Sequence, residues 1–417
     1  MTKHKPDKKD HHKNQPQPEK HKNHKTLYLL VGIVVVVITI VFTWRAGEKS
    51  TLNTPQAQAV IRQSTLESEK TQPLEKWIER TKAVDELFHT VYTPCWEGAY
   101  GAIGDAYLFA VTHDSSLLRF HTIDHDMRKM CVGTWVDDRA WICLAEFYWW
   151  NFSGRKNQSL VQDAKYRYDE ARNEGRLSNH DGYWSWYNWS PKSGTPERIF
   201  TNSNMNQMVT VACWLYEITG EKKYLADALL VWNGDKKFPG VEKILYKGNG
   251  KWQGKQGRAA FGHEVPWQGA GYCTIGAALY KVTKDQKYKQ IVVETAKRIM
   301  DPGNGWIDPQ DFFQTQMDGN GAFVNFLLDA YAIAPDELKD IPIKIEKMLE
   351  HVWTNHHGSA GVTLHRETDH GIRNGWNSFG GEDGYGVDEV GTVHAQGEAA
   401  RAFGTFVYYL NSLHENR

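Results

Sequence analysis

Ile218-Thr219-Gly220-Glu221-Lys222-Lys223-Tyr224 follows one apolar run and leads into another. Val282-Thr283-Lys284-Asp285-Gln286-Lys287-Tyr288, 64 residues later, repeats its pattern, and Val111-Thr112-His113-Asp114-Ser115-Ser116-Leu117 is an earlier copy. Each copy comes just after a Leu-Tyr or Leu-Phe pair. A period of 64 residues leaves room for two helices and two connections. A helical hairpin of that size cannot bury its apolar face alone, so neighbouring hairpins must stack.

The rest of the chain agrees. Apolar residues recur at helical spacing over Asp138–Trp150, Met205–Ile218, Thr274–Val282, Tyr288–Met300, Ala322–Ile333 and Ala395–Leu410, and strand-like alternation is scarce. Gly or Pro marks many helix ends. The folded remainder holds about five or six hairpins at this period. The stack either stays open as a solenoid or closes as a toroid. The tight spacing and internal glycines favour closure, so the expected fold is all-α, an (α/α)6 barrel.

The 417 residues carry a formal net charge of −1. The first 25 residues concentrate eight Lys and five His, which leaves an acidic body. Such a body carries no electrostatic footprint for nucleic acid and suits neutral sugars better than phosphates. The 17 Trp and 19 Tyr supply flat apolar faces with polar edges, suited both to a helical core and to the C–H faces of a carbohydrate. The five cysteines match no metal motif. Cys143, Cys213 and Cys273 lie in or beside apolar helical runs and read as small buried residues. A bridge between Cys95 and Cys131 is left open.

Residues 27–44, from Leu27 to Trp44, form an 18-residue run without charge. At ~1.5 Å per residue such a helix matches the hydrocarbon thickness of a bilayer. Lysines precede it, and the positive-inside rule then places the body outside the membrane. The expected organisation is a disordered basic cytoplasmic tail (1–25), a single-pass transmembrane signal anchor (27–44), a stalk (45–75) and a catalytic domain (76–417) facing out of the cytoplasm. A cleaved signal peptide is the alternative; the apolar run is long for one, and no Ala-x-Ala follows it directly.

The chemistry centres on Asp137-Asp138, between Thr134-Trp135-Val136 and Arg139-Ala140-Trp141. Adjacent aspartates are common on solvated helix starts. Inside an apolar stretch they are costly to bury without partners or a task. Glycoside cleavage needs two carboxyl groups in different protonation states, and burial with mutual repulsion splits a close pair in that way.

Here the chain resembles glycoside hydrolase family 76, the endo-α-1,6-mannanases, across most of residues 80–410. The resemblance rests on Trp135-Val136-Asp137-Asp138-Arg139-Ala140-Trp141, on Gly182-Tyr183-Trp184-Ser185-Trp186, on Asn204 to Tyr224, and on Gln268-Gly269 before Ala277-Ala278-Leu279-Tyr280. It implies an (α/α)6 barrel and a retaining mechanism, with Asp137 as nucleophile and Asp138 as general acid/base. It implies α-mannan, or a related polysaccharide or oligosaccharide, as substrate, and no cofactor. Two positions depart from the family: Pro266-Trp267 stand where Tyr-Asn is usual, and Asn320-Gly321 where Lys-Gly is usual.

Further substrate-binding candidates are Trp184 and Trp186, in a Gly- and Asn-containing stretch, and Trp267 with Gln268. Trp376 and Tyr385 join them from a glycine-rich loop where a ligand can approach closely. Core packing or a plain surface loop is the competing reading for each. No histidine set has metal-ligand spacing. Phosphate-cradling glycine loops and serine nucleophile elbows are absent from the sequence. The competing functions are another helical-toroid sugar enzyme, such as a lyase or an unsaturated-glucuronyl hydrolase, and a non-catalytic glycan-binding protein of the cell envelope.

Overall fold

The computed structural model describes residues 73–90, 92–94, 96–118, 136–172, 207–236, 240–252, 266–304, 320–358, 361–362 and 393–415. The expected cytoplasmic tail, anchor and most of the stalk lie outside these residues. Among the described residues no helix is long and apolar enough to cross a membrane.

The described part is helical apart from one small antiparallel pairing, His357–Gly358 with Gly361–Val362, and an isolated bridge between Tyr246 and Trp252. In chain order the helices are α1 (73–90), α2 (Trp96–Thr112), α3 (Val136–Phe152), α4 (Gln158–Ala171), α5 (Gln207–Thr219), α6 (Lys222–Asn233), α7 (Gly240–Leu245), α8 (Pro266–Thr283), α9 (Gln286–Ile299), α10 (Asn320–Ile333), α11 (Asp340–His356) and α12 (Val393–Glu415).

Two kinds of helix alternate. In α9, Tyr288, Ile291, Val292, Thr295, Ala296 and Ile299 are buried on one stripe, and Lys287, Gln290 and Lys297 lie off it. That is the pattern of a helix with one wet face. In α10, by contrast, Ala322 to Leu328 are all buried, so this helix is covered on every side. α2, α3, α5, α8, α10 and α12 are of the covered kind. Each packs on the next in that order, and α12 packs along α2. The ring of six is therefore closed. α1, α4, α6, α9 and α11 pack outside it. This is the architecture of an (α/α)6 barrel, and the open solenoid is excluded.

Closure depends on two glycines. A Cβ on Gly104 of α2 would strike the backbone of Ala400 on α12, and one on Gly404 would strike the backbone of Gly104. Helix backbones this close admit no side chain. On the outside, Arg80 of α1 lies 4.9 Å from the ring centres of both Trp77 and Trp353 and donates to both carboxylate oxygens of Glu350 on α11.

The repeated phrase is one turn used three times. Thr112, Thr219 and Thr283 each donate their hydroxyl to the carbonyl four residues back and accept the N–H two residues on, at 3.2–3.3 Å. The next residue, His113, Gly220 or Lys284, is left-handed at φ 53°, 72° and 62°. Its N–H bonds the carbonyl of Phe109, Tyr216 or Tyr280 at 2.8 Å, the left-handed helix stop. Asp114 and Asp285 then cap the following element by accepting from the amide two residues on. Each turn joins an inner helix to the element after it, which for the second and third copies is an outer helix. The six inner helices therefore run parallel, and their N-termini share one end of the ring.

The three apolar-run cysteines are buried and free. Cys143 and Cys273 place their thiols against Ala164 and Val292 carbonyls of the adjoining outer helices. Cys95 and Cys131 lie outside the described residues.

Candidate functional site

α3 begins at Val136, which puts Asp137 and Asp138 in its first turn. The free N–H groups of a first turn favour carboxylates. Asp138 is 5% exposed. The side chain of Asp137 lies outside what is described. Trp141, three residues after Asp138, identifies the side of α3 on which Asp138 stands, because residues at this spacing share a helix face. The Trp141 ring lies 5.0 Å from Tyr100 of α2 and 6.1 Å, stacked, from Phe326 of α10, on the far side of the ring of helices. This face therefore points into the barrel.

Arg401 of α12 fills the space between those rings. It is 1% exposed, and its guanidinium carbon lies 5.0 Å from Trp141 and 5.4 Å from both Tyr100 and Phe326. Nε and Nη2 both donate to Asn325 Oδ1, at 3.0 and 2.7 Å. Nη1 has no acceptor among the described residues. A buried cation thus rests on aromatic faces, whose quadrupoles attract it. Together these groups form a floor one helical turn below Asp138.

Glu398, three residues before Arg401, stands on the same tier as Asp138. Its Oε2 accepts the N–H groups of Gly321, in a short contact, and of Ala322, at 3.1 Å. These are free amides of the first turn of α10. A Cβ on Gly321 would collide with Glu398, which explains the glycine. Gln207, at the start of α5, donates to the Gly271 carbonyl of α8 at 3.1 Å. The N-terminal end of the ring is thus held by contacts between helices.

The remaining candidates enter through chain order. Trp184 and Trp186 belong to residues 173–206, which lead into α5. Trp267 and Gln268 are in the first turn of α8, and their side chains are outside the described set. Trp376 and Tyr385 belong to residues 363–392, which lead into α12. Trp184, Trp186, Trp376 and Tyr385 lie outside the described residues. All of these segments join an outer helix to the N-terminus of an inner one, the end that carries Asp137 and Asp138.

Arg401, Asn325 and Glu398 went unread in the sequence. For Arg401 the cue was a lone charge within Ala399-Ala400-Arg401-Ala402-Phe403. Glu398 and Gly321 are 77 residues apart, and no local pattern links them.

One group among the described residues is spaced as metal ligands: Asp85 and His89 of α1 with Asp105 of α2, ligand atoms within 4.8 Å. His89 Nε2 lies 2.9 Å from Asp105 and 3.5 Å from Asp85. Burial, then the Asp105 charge, push the Asp85 carboxyl well above the usual range.

No protein-family model and no curated protein matches the chain. Solved structures do. An α-1,6-mannanase from Salegentibacter sp. is 15% identical, with a TM-score of 0.57 over 79% of this chain and 98% of that one. A variant of that mannanase with two consecutive aspartates changed to asparagine is inactive and is in complex with α-1,6-mannotriose. A family 76 mannosidase from Bacteroides thetaiotaomicron is 15% identical, with a TM-score of 0.59 over 82% of this chain and 100% of that one. An unsaturated glucuronyl hydrolase specific for heparin is similar at 10% identity and a TM-score of 0.55, over 80% of this chain and 97% of that one. Many of the structural neighbours are thus family 76 α-1,6-mannanases, and the fold of this chain is theirs.

Proposed function

We propose that this protein is a retaining glycoside hydrolase, or a transglycosylase, that cleaves α-mannosidic linkages of the α-1,6-mannan type outside the cell. The observation that carries the reading is the buried carboxylate of Asp138, beside Asp137, in the first turn of an inner helix above an aromatic floor. The neighbour inactivated by changing two consecutive aspartates and holding α-1,6-mannotriose supports it.

A first turn favours an ionised carboxylate, whereas burial favours a protonated one. Two adjacent acids in such a place divide into base and acid. In the proposed path Asp137 attacks the anomeric carbon while Asp138 gives its proton to the leaving oxygen, so the glycosidic bond breaks as the glycosyl ester forms. Asp138 then takes a proton from water, or from an acceptor sugar hydroxyl, and that oxygen displaces Asp137. Trp184, Trp186, Trp267, Trp376 and Tyr385 supply stacking faces and Gln268 a hydrogen bond. Residues 27–44 hold the enzyme to the membrane with its barrel facing outward.

The unsaturated glucuronyl hydrolase among the neighbours shows that this fold serves other sugars, so substrate is tested directly. Purified protein is incubated with α-1,6-mannan, and product anomers are followed by proton NMR. Release of α-anomers first, lost in Asp137→Asn at unchanged melting temperature, is expected. An Asp137→Asn protein as active as the parent, or initial β-anomers, overturns the reading.

A further inference from the structure

A cavity of about 360 Å³ opens at the other end of the ring, among the C-terminal turns of α3, α5 and α8. Trp150, Asn151, Arg155, Trp214, Glu217 and Lys281 line it. Trp150 is 12 residues beyond Asp138 on α3, about 18 Å at ~1.5 Å per residue. A molecule held here is thus remote from the proposed catalytic pair, and the volume lies in the lower range for small-ligand sites.

Its charge is unbalanced. Lys281 pairs with Glu217 at 3.0 Å. Arg155 has no carboxylate partner among the described residues. Its side chain is exposed, with Nε and Nη2 donating to Asn151 Oδ1 at 3.1 and 2.9 Å and its guanidinium carbon 5.4 Å from the centre of the Trp150 ring. Its backbone is left-handed, at φ 61°, directly after a left-handed Gly154. This conformation costs an L-residue about 1–2 kcal/mol, and glycine is usual in it. The arginine thus pays a conformational penalty where its head group lies at a cavity wall.

On the opposite wall Trp214 stacks on Phe147 at 5.4 Å and meets Tyr148 edge-on at 5.2 Å, with Lys281 5.7 Å from its ring centre. Trp214 is half-buried and lines the cavity, so it offers apolar surface to the C–H side of a pyranose, and a guanidinium fork suits an oxyanion.

We propose that this cavity binds a saccharide unit bearing an anionic group, the sugar ring against Trp214 and the oxyanion on Arg155. The proposal does not depend on the function assigned to Asp137 and Asp138. The test titrates the full-length protein, by calorimetry and tryptophan fluorescence, with glucuronate, mannose 6-phosphate, mannose and inorganic phosphate. At least one anionic sugar should bind at least tenfold more tightly than mannose and than phosphate. Arg155→Gln and Trp214→Ala should each weaken it about tenfold or more. Lys281→Gln is the second variant should Trp214→Ala not fold, and should weaken binding less than Arg155→Gln. A carboxylate or a phosphate preference identifies the oxyanion. Failure of both anionic sugars to bind, mannose or phosphate binding as tightly, or full affinity in Arg155→Gln overturns the proposal. Mannan cleavage by the Arg155→Gln protein reports on the catalytic reading separately.

Discussion

The guanidinium of Arg401 lies 5.0 Å from the centre of the Trp141 ring, one helical turn below Asp138. A buried cation so placed holds together side chains from α2, α3, α10 and α12. Arg401→Met leaves Asn325 Oδ1 without its two donors and should cost about 2–4 kcal/mol. Arg401→Lys keeps the charge but not the fork, and should fall between parent and Met variant. Urea unfolding measures both; an Arg401→Met protein within about 0.5 kcal/mol of the parent refutes the structural role.

Asp329 lies deeper in the same ring, accepting from Thr274 Oγ1 at 2.7 Å and the Tyr409 hydroxyl at 3.0 Å. Burial outweighs these hydrogen bonds and pushes its carboxyl from 3.8 up to about 6. The folded protein thus holds a proton that the unfolded chain has released. This group's contribution is fully present below about pH 4 and is lost as pH rises to about 6, on the order of 2–3 kcal/mol. Asp329→Asn cannot ionise. Its stability relative to the parent should therefore rise between pH 4 and pH 6.5, and a flat difference across that window rules the shift out.

Local chemistry was legible in the sequence, and distant contact was not. The three threonine turns follow from their own residues, and so the hairpin period was visible. Closure of the ring rests on Gly104 meeting Gly404, 300 positions away, which no local pattern records. α8 was read from Thr274, yet it begins at Pro266. A Cβ on Gly269 would meet Ile299 and Thr295 only at ordinary contact distance, whereas one on Gly276 would strike Val292 of α9. Proline at a first helical position is itself a start signal. Asp137-Asp138 was singled out through its unusual setting; the cation and aromatic floor beneath Asp138 is assembled from four helices.

The repeated turn offers a comparison of equivalent backbones. Lys284 stands at φ 62° where Gly220 stands at φ 72°. Lys284→Gly relieves a left-handed L-residue and should stabilise the protein by about 1 kcal/mol. Gly220→Ala meets nothing within 4 Å, so its cost, about 1 kcal/mol, is purely conformational. Thermal unfolding of the two variants should shift in opposite directions; shifts of the same sign contradict the shared geometry.

Glu398 and Gly321 should act as one unit. The carboxylate accepts two amides that the start of α10 would otherwise leave without helical partners, and the absent side chain of Gly321 admits it. Glu398→Ala should cost about 2–3 kcal/mol through the orphaned amides. Gly321→Ala forces the carboxylate or the backbone of α12 away, at about 1–3 kcal/mol. Because each change destroys the same contact, the double variant should lose less than the sum by at least about 1 kcal/mol. Glu398→Gln retains an acceptor without the charge and should lie between parent and Ala variant. Denaturant unfolding of all four proteins completes the cycle. Additivity within about 0.5 kcal/mol would show that α10 gains its first turn without Glu398.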